Sequence, residues 1–278
     1  DVLNTSIYLS RLMGADATVR FTTLLGKDPF SSEMIAAWER EGINCDTVGR
    51  LTARNAGLYF VRTDKTGERT FHYWRSQSAA REIMGDDWAD LRAQAMGSDW
   101  IYLSGITLAI LDDKGRERLL SELSMARESG TLIAFDGNFR PTLWTNPVDA
   151  APWHAQVWDL CALALAGFED EAAVFGDATP RSSLDRLQSH GIAEIVIKRG
   201  TQSVFLHTDG ANQSIDVTPV RNVIDTTAAG DSFNAGYIAA RLRDRPPAES
   251  ARIGAALAAK VIQHTGAVIP QVHMPTLF

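Results

Sequence analysis

The chain has few cysteines, no long apolar run and no excess of basic residues, and each of these absences argues against a class of protein. Its 278 residues include only two cysteines, Cys45 and Cys161. Two thiols so far apart form neither a disulfide framework nor a zinc quartet, which favours a reducing, cytoplasmic environment. The longest apolar run, 160–168, is about half of the ~18 residues that a membrane helix needs. With 27 Lys and Arg against 34 Asp and Glu, the net charge of -7 argues against nucleic acid as the main partner.

Several common catalytic and nucleotide-binding motifs are also absent. The sequence has no Gly-x-x-x-x-Gly-Lys-Ser/Thr phosphate loop, no Gly-x-Gly-x-x-Gly at a first strand–helix turn, no His-Glu-x-x-His and no Gly-x-Ser-x-Gly. The chain is therefore not a P-loop nucleotide binder, and the dehydrogenase, zinc protease and esterase interpretations lose their support.

What the chain does have is an alternation of strand-like and helix-like apolar patterns. This alternation is typical of an α/β fold with a mainly parallel sheet covered by helices. Strands are predicted at 19–26, 100–103, 131–135, 160–165, 194–198 and 203–206, and helices at 7–13, 30–41, 115–129, 182–190, 231–242 and 249–264. Polar residues follow several of these strands, where open α/β sheets bind their ligands.

A hairpin interrupts this pattern and carries aromatic and arginine side chains. Strands are predicted at 56–62 and 69–75, joined by turn residues at 63–68. Such a hairpin indicates a flap over a polar ligand, although a hairpin packed on its own domain would look similar. We therefore predict an α/β body of residues 1–50 and 79–278, and a lid of residues 51–78.

The segment 225–231, Asp-Thr-Thr-Ala-Ala-Gly-Asp, carries the strongest chemical signal. Its small residues let a ligand approach the backbone, and the helix that follows presents unpaired N–H groups at its positive end. Such a pocket suits a phosphoryl group in transfer. Asp231 is placed to accept a proton from an attacking hydroxyl, although an aspartate here could equally be a helix N-cap. Asp225, which an N-cap does not explain, is predicted to orient metal-bound water or a triphosphate.

This segment resembles the C-terminal signature of the PfkB (ribokinase-like) sugar kinases, usually Asp-Thr-x-Gly-Ala-Gly-Asp, with Ala228 in place of the first glycine. The similarity spans nearly the whole chain. The segments 67–75, ending in Tyr-Trp-Arg, and 136–141, Asp-Gly-Asn-Phe-Arg-Pro, are most similar to the branch of the family that acts on 2-keto-3-deoxygluconate. The resemblance implies a ribokinase-like three-layer α/β/α sandwich with a mainly parallel sheet and a small β-strand lid.

The resemblance also implies roles for individual residues in a kinase that uses ATP and Mg²⁺. Asp231 matches the general base, and the backbone N–H groups of Ala228, Ala229 and Gly230 match the anion site. Residues that match substrate contacts are Asn4, Tyr59, Tyr73, Arg75 and Arg140. Lys198 and Gly200 match positions that contact the nucleotide in the family, and the helix around 255–259 matches the one near the adenine. Glu171 matches a glutamate tied to magnesium through water, but Phe168 stands where that motif usually has Asn.

The substrate that this resemblance implies is anionic, and the two arginines agree with it. Arginine offers paired N–H donors that match a carboxylate, so Arg75 and Arg140 suit a sugar acid better than a neutral sugar. The predicted reaction is phosphorylation of the terminal hydroxyl of 2-keto-3-deoxygluconate. Two alternatives stay open: a kinase for another sugar, such as fructose or a related acid, and a catalytically silent sugar-binding protein of the same fold.

Two expectations concern the ends and the assembly of the chain. The sequence opens on Asp1 without an initiating Met and enters a helical pattern at once. We therefore expect upstream residues, which in the family form the first strand and a Gly-Gly pair beside the sugar. Because the lid carries aromatics on both strands, and ribokinase-like enzymes commonly pair through it, we also expect a homo-oligomer. Neither nucleic acid nor a membrane is expected as a partner.

Overall fold

The computed structural model describes residues 1–63 and 69–278, and its centre is a six-stranded sheet between two layers of helices. The strands are β1 (Thr23–Gly26), β2 (Val48–Leu51), β3 (Leu58–Thr63), β4 (Arg69–Trp74), β5 (Trp100–Ser104), β6 (Leu132–Asp136), β7 (Leu163–Gly167), β8 (Glu194–Lys198), β9 (Val204–Thr208) and β10 (Ala211–Ile215). The helices are α1 (Val2–Met13), α2 (Pro29–Arg40), α3 (Ala89–Met96), α4 (Gly105–Ile110), α5 (Asp113–Glu128), α6 (Ala150–Trp158), α7 (Phe168–Phe175), α8 (Pro180–Ser189), α9 (Ala229–Leu242) and α10 (Pro247–Val261).

The sheet order is β10-β9-β8-β7-β6-β5, with β5 to β8 parallel and β9 antiparallel to both of its neighbours. Successive residues of β8 face opposite sides of the sheet, as strand geometry requires. Ile195 and Ile197 pack in the core beneath α5 and α6, whereas Val196 packs in the core beneath α9. The central strands are thus buried on both faces, which confirms the predicted three-layer α/β/α sandwich with a mainly parallel sheet.

Helices α9 and α10 pack unusually close together at a pair of glycines. A Cβ atom on Gly236 would lie 2.9 Å from the Gly254 Cα, so neither position has room for a side chain. This contact fixes α9, whose residues 231–240 are all buried, against both α10 and the sheet. A helix start held this rigidly can keep functional side chains in place.

Two small sheets lie outside the central one. Strands β1 and β2 pair in parallel, and β3 and β4 form the predicted antiparallel hairpin, with Tyr59 opposite Tyr73. Of the turn predicted at 63–68, residues 64–68 lie outside the described residues. The division into a body and a lid of residues 51–78 stays a prediction.

Some predicted boundaries are wrong. The strand predicted at 19–26 begins only at Thr23, and the strand predicted at 160–165 is displaced to Leu163–Gly167. The displacement arises because the chain leaves α6 late: the N–H of Cys161 still donates to the Trp158 carbonyl. The pattern also missed β2, β10, α3, α4, α6 and α7. Among the described residues, no helix has both the length and the apolar character needed to cross a lipid bilayer.

Candidate active site

The start of α9 is built by a tight loop that Asp225 holds in place. One oxygen of its buried carboxylate, Oδ1, accepts from the Thr227 N–H at 3.1 Å and the Thr227 hydroxyl at 2.7 Å. The other, Oδ2, accepts from the Gly266 N–H at 2.8 Å, which ties the loop to the segment after α10. These bonds give Asp225 a structural task, and its predicted contact with the metal or the triphosphate stays a prediction.

Ala228 is the N-cap residue of α9 and has a left-handed backbone, with φ 60° and ψ 18°. Glycine adopts this conformation at little cost, whereas a residue with a Cβ atom loses about 1 kcal/mol or more. The conformation therefore explains in physical terms why a glycine suits this position. The chain keeps the turn in spite of its alanine.

The backbone N–H groups of Ala228, Ala229 and Gly230 at the helix start form the predicted anion site. The Ala229 N–H donates to the Thr226 carbonyl at 3.2 Å and closes the turn. The part of this group in an anion site stays a prediction. The Ala228 and Gly230 N–H groups stay predicted donors, because the first turn of a helix has no earlier carbonyls to accept from it.

Asp231 is the third residue of α9 and is only 9% exposed. It is not the N-cap, so the alternative role that the sequence left open is excluded. Its Oδ2 accepts from Asn4 Nδ2 at 2.8 Å, and its carbonyl accepts from the Thr5 hydroxyl at 3.2 Å. Within residues 1–63 and 69–278 we find no hydrogen bond to Oδ1, so that oxygen can accept a proton from a ligand.

Asn4 reaches this carboxylate from α1, where it is the third residue. The N-cap of α1 is Asp1, so Asn4 lies inside the helix and does not cap it. Its amide instead orients the carboxylate of Asp231. A contact from Asn4 to sugar hydroxyls stays a prediction.

Lys198 ends β8 beneath this helix start. Its Nζ donates to Asp136 Oδ1 at 3.2 Å and to Asn234 Oδ1 at 2.9 Å. It also lies 3.8 Å from the position that a Cβ atom of Gly230 would occupy. The predicted nucleotide-binding lysine and the predicted anion site are therefore adjacent. Gly200, two residues after β8, has φ 58°, and a Cβ atom there would meet open space.

The lid residues predicted to contact substrate share one face of the hairpin. Tyr59 and Tyr73 are directly opposite in the register, with ring centroids 6.1 Å apart. The Arg75 guanidinium lies 4.0 Å from the centroid of the Tyr73 ring, a cation–π contact that orients it. Both tyrosines remain about half exposed. The structure therefore brings these three predicted residues together on an accessible surface.

Arg140 follows the turn after β6, and both it and Lys198 act on the charge of Asp170. It is exposed, and its Nη1 donates to the Phe139 carbonyl at 3.1 Å. The pKa of the Asp170 carboxyl is raised to about 6, mainly by burial and further by Asp136, whereas Arg140 and Lys198 act to lower it. Asp170, Asp136, Arg140 and Lys198 thus share one neighbourhood at the carboxyl ends of the strands.

Glu171, the predicted magnesium-linked residue, is a buried ion-pair partner. Its carboxylate accepts from Arg186 Nη2 at 2.6 Å, and the same guanidinium binds Asp177 at 2.8 Å. Burial raises the pKa of Glu171 to about 7, against the lowering effect of Arg186. Glu171 lies in the first turn of α7 but is not solvated, since it is only 1% exposed. Its carboxylate is already occupied by Arg186, so a direct metal contact does not fit, while a link through water stays a prediction.

Sequence reasoning assigned no role to Asp136, Asn234 or Asp170. Asp136 and Asn234 lie in segments that it singled out, at a strand end and one helical turn after Asp231. Asp170 stands in the acidic run between Glu169 and Glu171. The described part of the chain contains no group of three or more His, Cys, Asp or Glu side chains arranged to hold a metal ion.

Comparison with known proteins places this geometry in context. The model of the pfkB family of carbohydrate kinases matches residues 1–274. The chain is 41% identical to a 2-dehydro-3-deoxygluconokinase of Dickeya dadantii, over 99% of this chain and 90% of that protein. It is 40% identical to the 2-dehydro-3-deoxygluconokinase of Escherichia coli, over 99% and 91% of the two chains. The fold is also similar to a crystal structure of fructokinase with bound ATP from Xylella fastidiosa, with a TM-score of 0.83, 22% identity and coverage of 99% of this chain and 86% of that one.

Proposed function

The chain belongs to the pfkB family of carbohydrate kinases, and we propose that it phosphorylates the terminal hydroxyl of 2-keto-3-deoxygluconate with ATP. Two relatives at about 40% identity over nearly the full chain carry the name of that activity. The reaction is a phosphoryl transfer to an alcohol group. We also propose that it takes place in the cytoplasm, where ATP is available.

The observation that carries this proposal is the Asp231 carboxylate at the start of α9. One oxygen is fixed by Asn4, and the other is free among the described residues to take the proton of the substrate's terminal hydroxyl. As that proton moves to Asp231, the hydroxyl oxygen forms a bond to the γ-phosphorus and the bond to ADP breaks. Backbone N–H groups of Ala228, Ala229 and Gly230 would stabilise the transferred group's negative charge.

The lid supports an acidic substrate. Arg75, oriented by the Tyr73 ring, offers a guanidinium on an accessible surface, which suits the carboxylate of a sugar acid. Arg140 would add a second cation from the body of the protein. Closure of the lid over the sugar would exclude water, whose attack on ATP competes with transfer.

Lys198 and Gly200 are the residues that we propose meet the nucleotide, at the same edge of the sheet as Asp231. A Mg²⁺ ion fits this site as a companion of the nucleotide, because Mg²⁺ keeps several waters and needs only one or two carboxylates besides phosphate oxygens. Asp170, half-buried near Lys198, would hold it, and Glu171 would act only through water. Bound Mg²⁺ neutralises charge on the phosphate oxygens.

We further propose that the lid pairs with the lid of a second copy. The hairpin face opposite Tyr59 and Tyr73 carries Phe60 and Trp74, whose rings are in contact at 5.6 Å and are 58% and 62% exposed. Two large aromatic side chains in water on a small hairpin favour burial against another apolar surface.

Coupled release of ADP across a panel of acceptors tests the function. We expect turnover with 2-keto-3-deoxygluconate to exceed turnover with fructose, ribose and gluconate. Asp231→Asn, which keeps the shape and the contact with Asn4, should fold normally and lose about 10² or more in kcat, the size of a general-base contribution. Sugar binding without ADP formation by the unmodified protein would instead support a catalytically silent protein.

A further inference from the structure

Beneath the start of α9 lies a charged cluster whose arrangement the base and the lid do not explain. Lys198 from β8 and Asp136 from β6 form an ion pair at 3.2 Å, with side chains 16% and 5% exposed. Asn234, fully buried, joins them: its Oδ1 accepts from Lys198 at 2.9 Å and its Nδ2 donates to Asp136 Oδ2 at 2.8 Å. The same Nδ2 contacts the Tyr102 hydroxyl at 3.0 Å.

Stability alone is a poor reason for this cluster. Taking an ammonium and a carboxylate out of water costs several kcal/mol each, and apolar side chains of similar volume often serve a core as well. The polar atoms of Asn234 are all used, so the amide holds one orientation and fixes where both charges lie.

The ammonium group has one donor left for a ligand. Of its three N–H donors, Asp136 and Asn234 use two, and we find no third acceptor in the part of the chain that the structure describes. The Lys198 side chain is 16% exposed, and its Nζ lies 3.8 Å from the position that a Cβ atom of Gly230 would occupy. Asn234 follows Asp231 by three residues on α9, so one rigid helix start carries the base and the residue that holds the lysine.

We propose that Asp136 and Asn234 are positioning residues that hold the Lys198 ammonium against the first turn of α9, where its free donor binds a terminal phosphate oxygen of the nucleotide. This inference rests on the proposed kinase function and adds the residues that aim the lysine.

Calorimetric titration without sugar tests the arrangement. Binding of ADP and of a non-hydrolysable imido analogue of ATP, both with Mg²⁺, is compared for the unmodified protein, Asn234→Ala, Lys198→Met and the double variant. Lys198→Met should lower the preference for the triphosphate by about tenfold or more, the size of one charge-assisted hydrogen bond. Asn234→Ala should lose a large part of the same preference, and the double variant should lose no more than Lys198→Met alone, because Asn234 acts through the lysine.

Tyr237→Phe is the matched control. It removes another buried hydrogen bond of α9, the one from the Tyr237 hydroxyl to Glu194, which does not involve Lys198. The triphosphate preference should not change in this variant. If Asn234→Ala does not fold, Asp136→Asn takes its place in the titration. This variant keeps the side-chain shape but removes the charge that holds the Lys198 ammonium, so the triphosphate preference should also fall.

Steady-state kinetics distinguish a positioning role of Asn234 from a merely structural one. With the acceptor that the unmodified protein phosphorylates, Asn234→Ala should lower kcat while KM for that acceptor stays within about threefold. An unchanged triphosphate preference in folded Asn234→Ala, or losses that multiply in the double variant, would overturn the proposal. Failure to phosphorylate 2-keto-3-deoxygluconate would overturn the proposed function separately, since the titration contains no sugar.

Discussion

Replacing His154 with leucine should make the stability of the protein less sensitive to acid. The imidazole is fully buried among aromatic rings, with its centroid 5.5 Å from that of Phe135 and 6.2 Å from that of Trp144. Neither ring nitrogen has a hydrogen-bond partner among the described residues. Burial, and to a lesser extent the charge of Arg186, lowers the pKa of His154 from 6.5 to about 4.

The sign and the size of the effect follow from this pKa. Between pH 6.5 and 4 the unfolded chain binds a proton at this histidine and the folded chain does not, so acidification favours unfolding. Linkage gives a loss of about 2 kcal/mol by pH 5 and about 3 kcal/mol by pH 4. Asp170 and Glu171 act in the opposite direction, because their raised pKa values favour proton binding by the folded state. Only the difference between two variants therefore isolates the histidine.

Urea unfolding at pH 7, 6, 5 and 4 measures that difference. The free energy of unfolding of His154→Leu, minus that of the unmodified protein, should rise by about 2 kcal/mol between pH 7 and pH 5. His273→Gln, at an exposed histidine, is the control and should show no comparable rise. His154→Met serves if leucine does not pack. Parallel pH curves for the unmodified protein and the variant would refute the reasoning and show that the imidazole is solvated or bonded in the folded state.

Three further changes test the turn, the lid and the assembly. Ala228→Gly should raise the free energy of unfolding by up to about 1 kcal/mol by removing left-handed strain, and a loss of stability in urea would contradict the observed φ. Arg75→Met should raise KM for 2-keto-3-deoxygluconate about tenfold or more without changing KM for ATP, and Arg75→Lys should give a KM between those of Arg75→Met and the unmodified protein. Equal effects on the two KM values would show that Arg75 does not contact the carboxylate of the substrate. Phe60→Ser combined with Trp74→Ser should yield monomers in sedimentation, whereas Met125→Ser, at an exposed methionine of α5, should not; unchanged sedimentation of the lid variant would exclude pairing through this face.

The sequence could predict elements with a clear period or a clear boundary. The strand at 194–198 was predicted with the bounds that the structure shows, because its apolar residues are bracketed by Glu194 and Lys198. The strand predicted at 160–165 was displaced, since a uniform apolar run does not mark where a helix ends and a strand begins. Strand β2 contains Gly49 and Arg50 and has no alternation of its own. It forms only because β1 offers it a partner, which no local pattern reveals.

The same limit applies to the site. The segment 225–231 could be interpreted because its small residues and its acids are contiguous in the chain. The positioning of Lys198 by Asp136 and Asn234 could not be predicted, because these residues are 62 and 36 residues away from it in sequence. Asn4 and Asp231 meet across 227 residues. Contacts of this kind depend on where the sheet order and the packing of α1 on α9 bring side chains together, and a pattern along the chain does not contain that information.

The two acids that bracket the signature have different tasks, and this difference bears on the silent-protein alternative. Both oxygens of Asp225 accept hydrogen bonds from the loop, one from Thr227 and one from Gly266. Both oxygens of Asp225 therefore help to hold the turn. Asp231 has one oxygen oriented by an amide and the other without a bond in the described residues. A buried carboxylate left half-satisfied costs stability unless a ligand completes it. A sugar hydroxyl that donates to this oxygen would complete it in a binding protein and in a kinase alike, but only a kinase then takes the proton. The open oxygen of Asp231 is what a general base needs, and the activity named for the relatives at about 40% identity favours catalysis over binding alone.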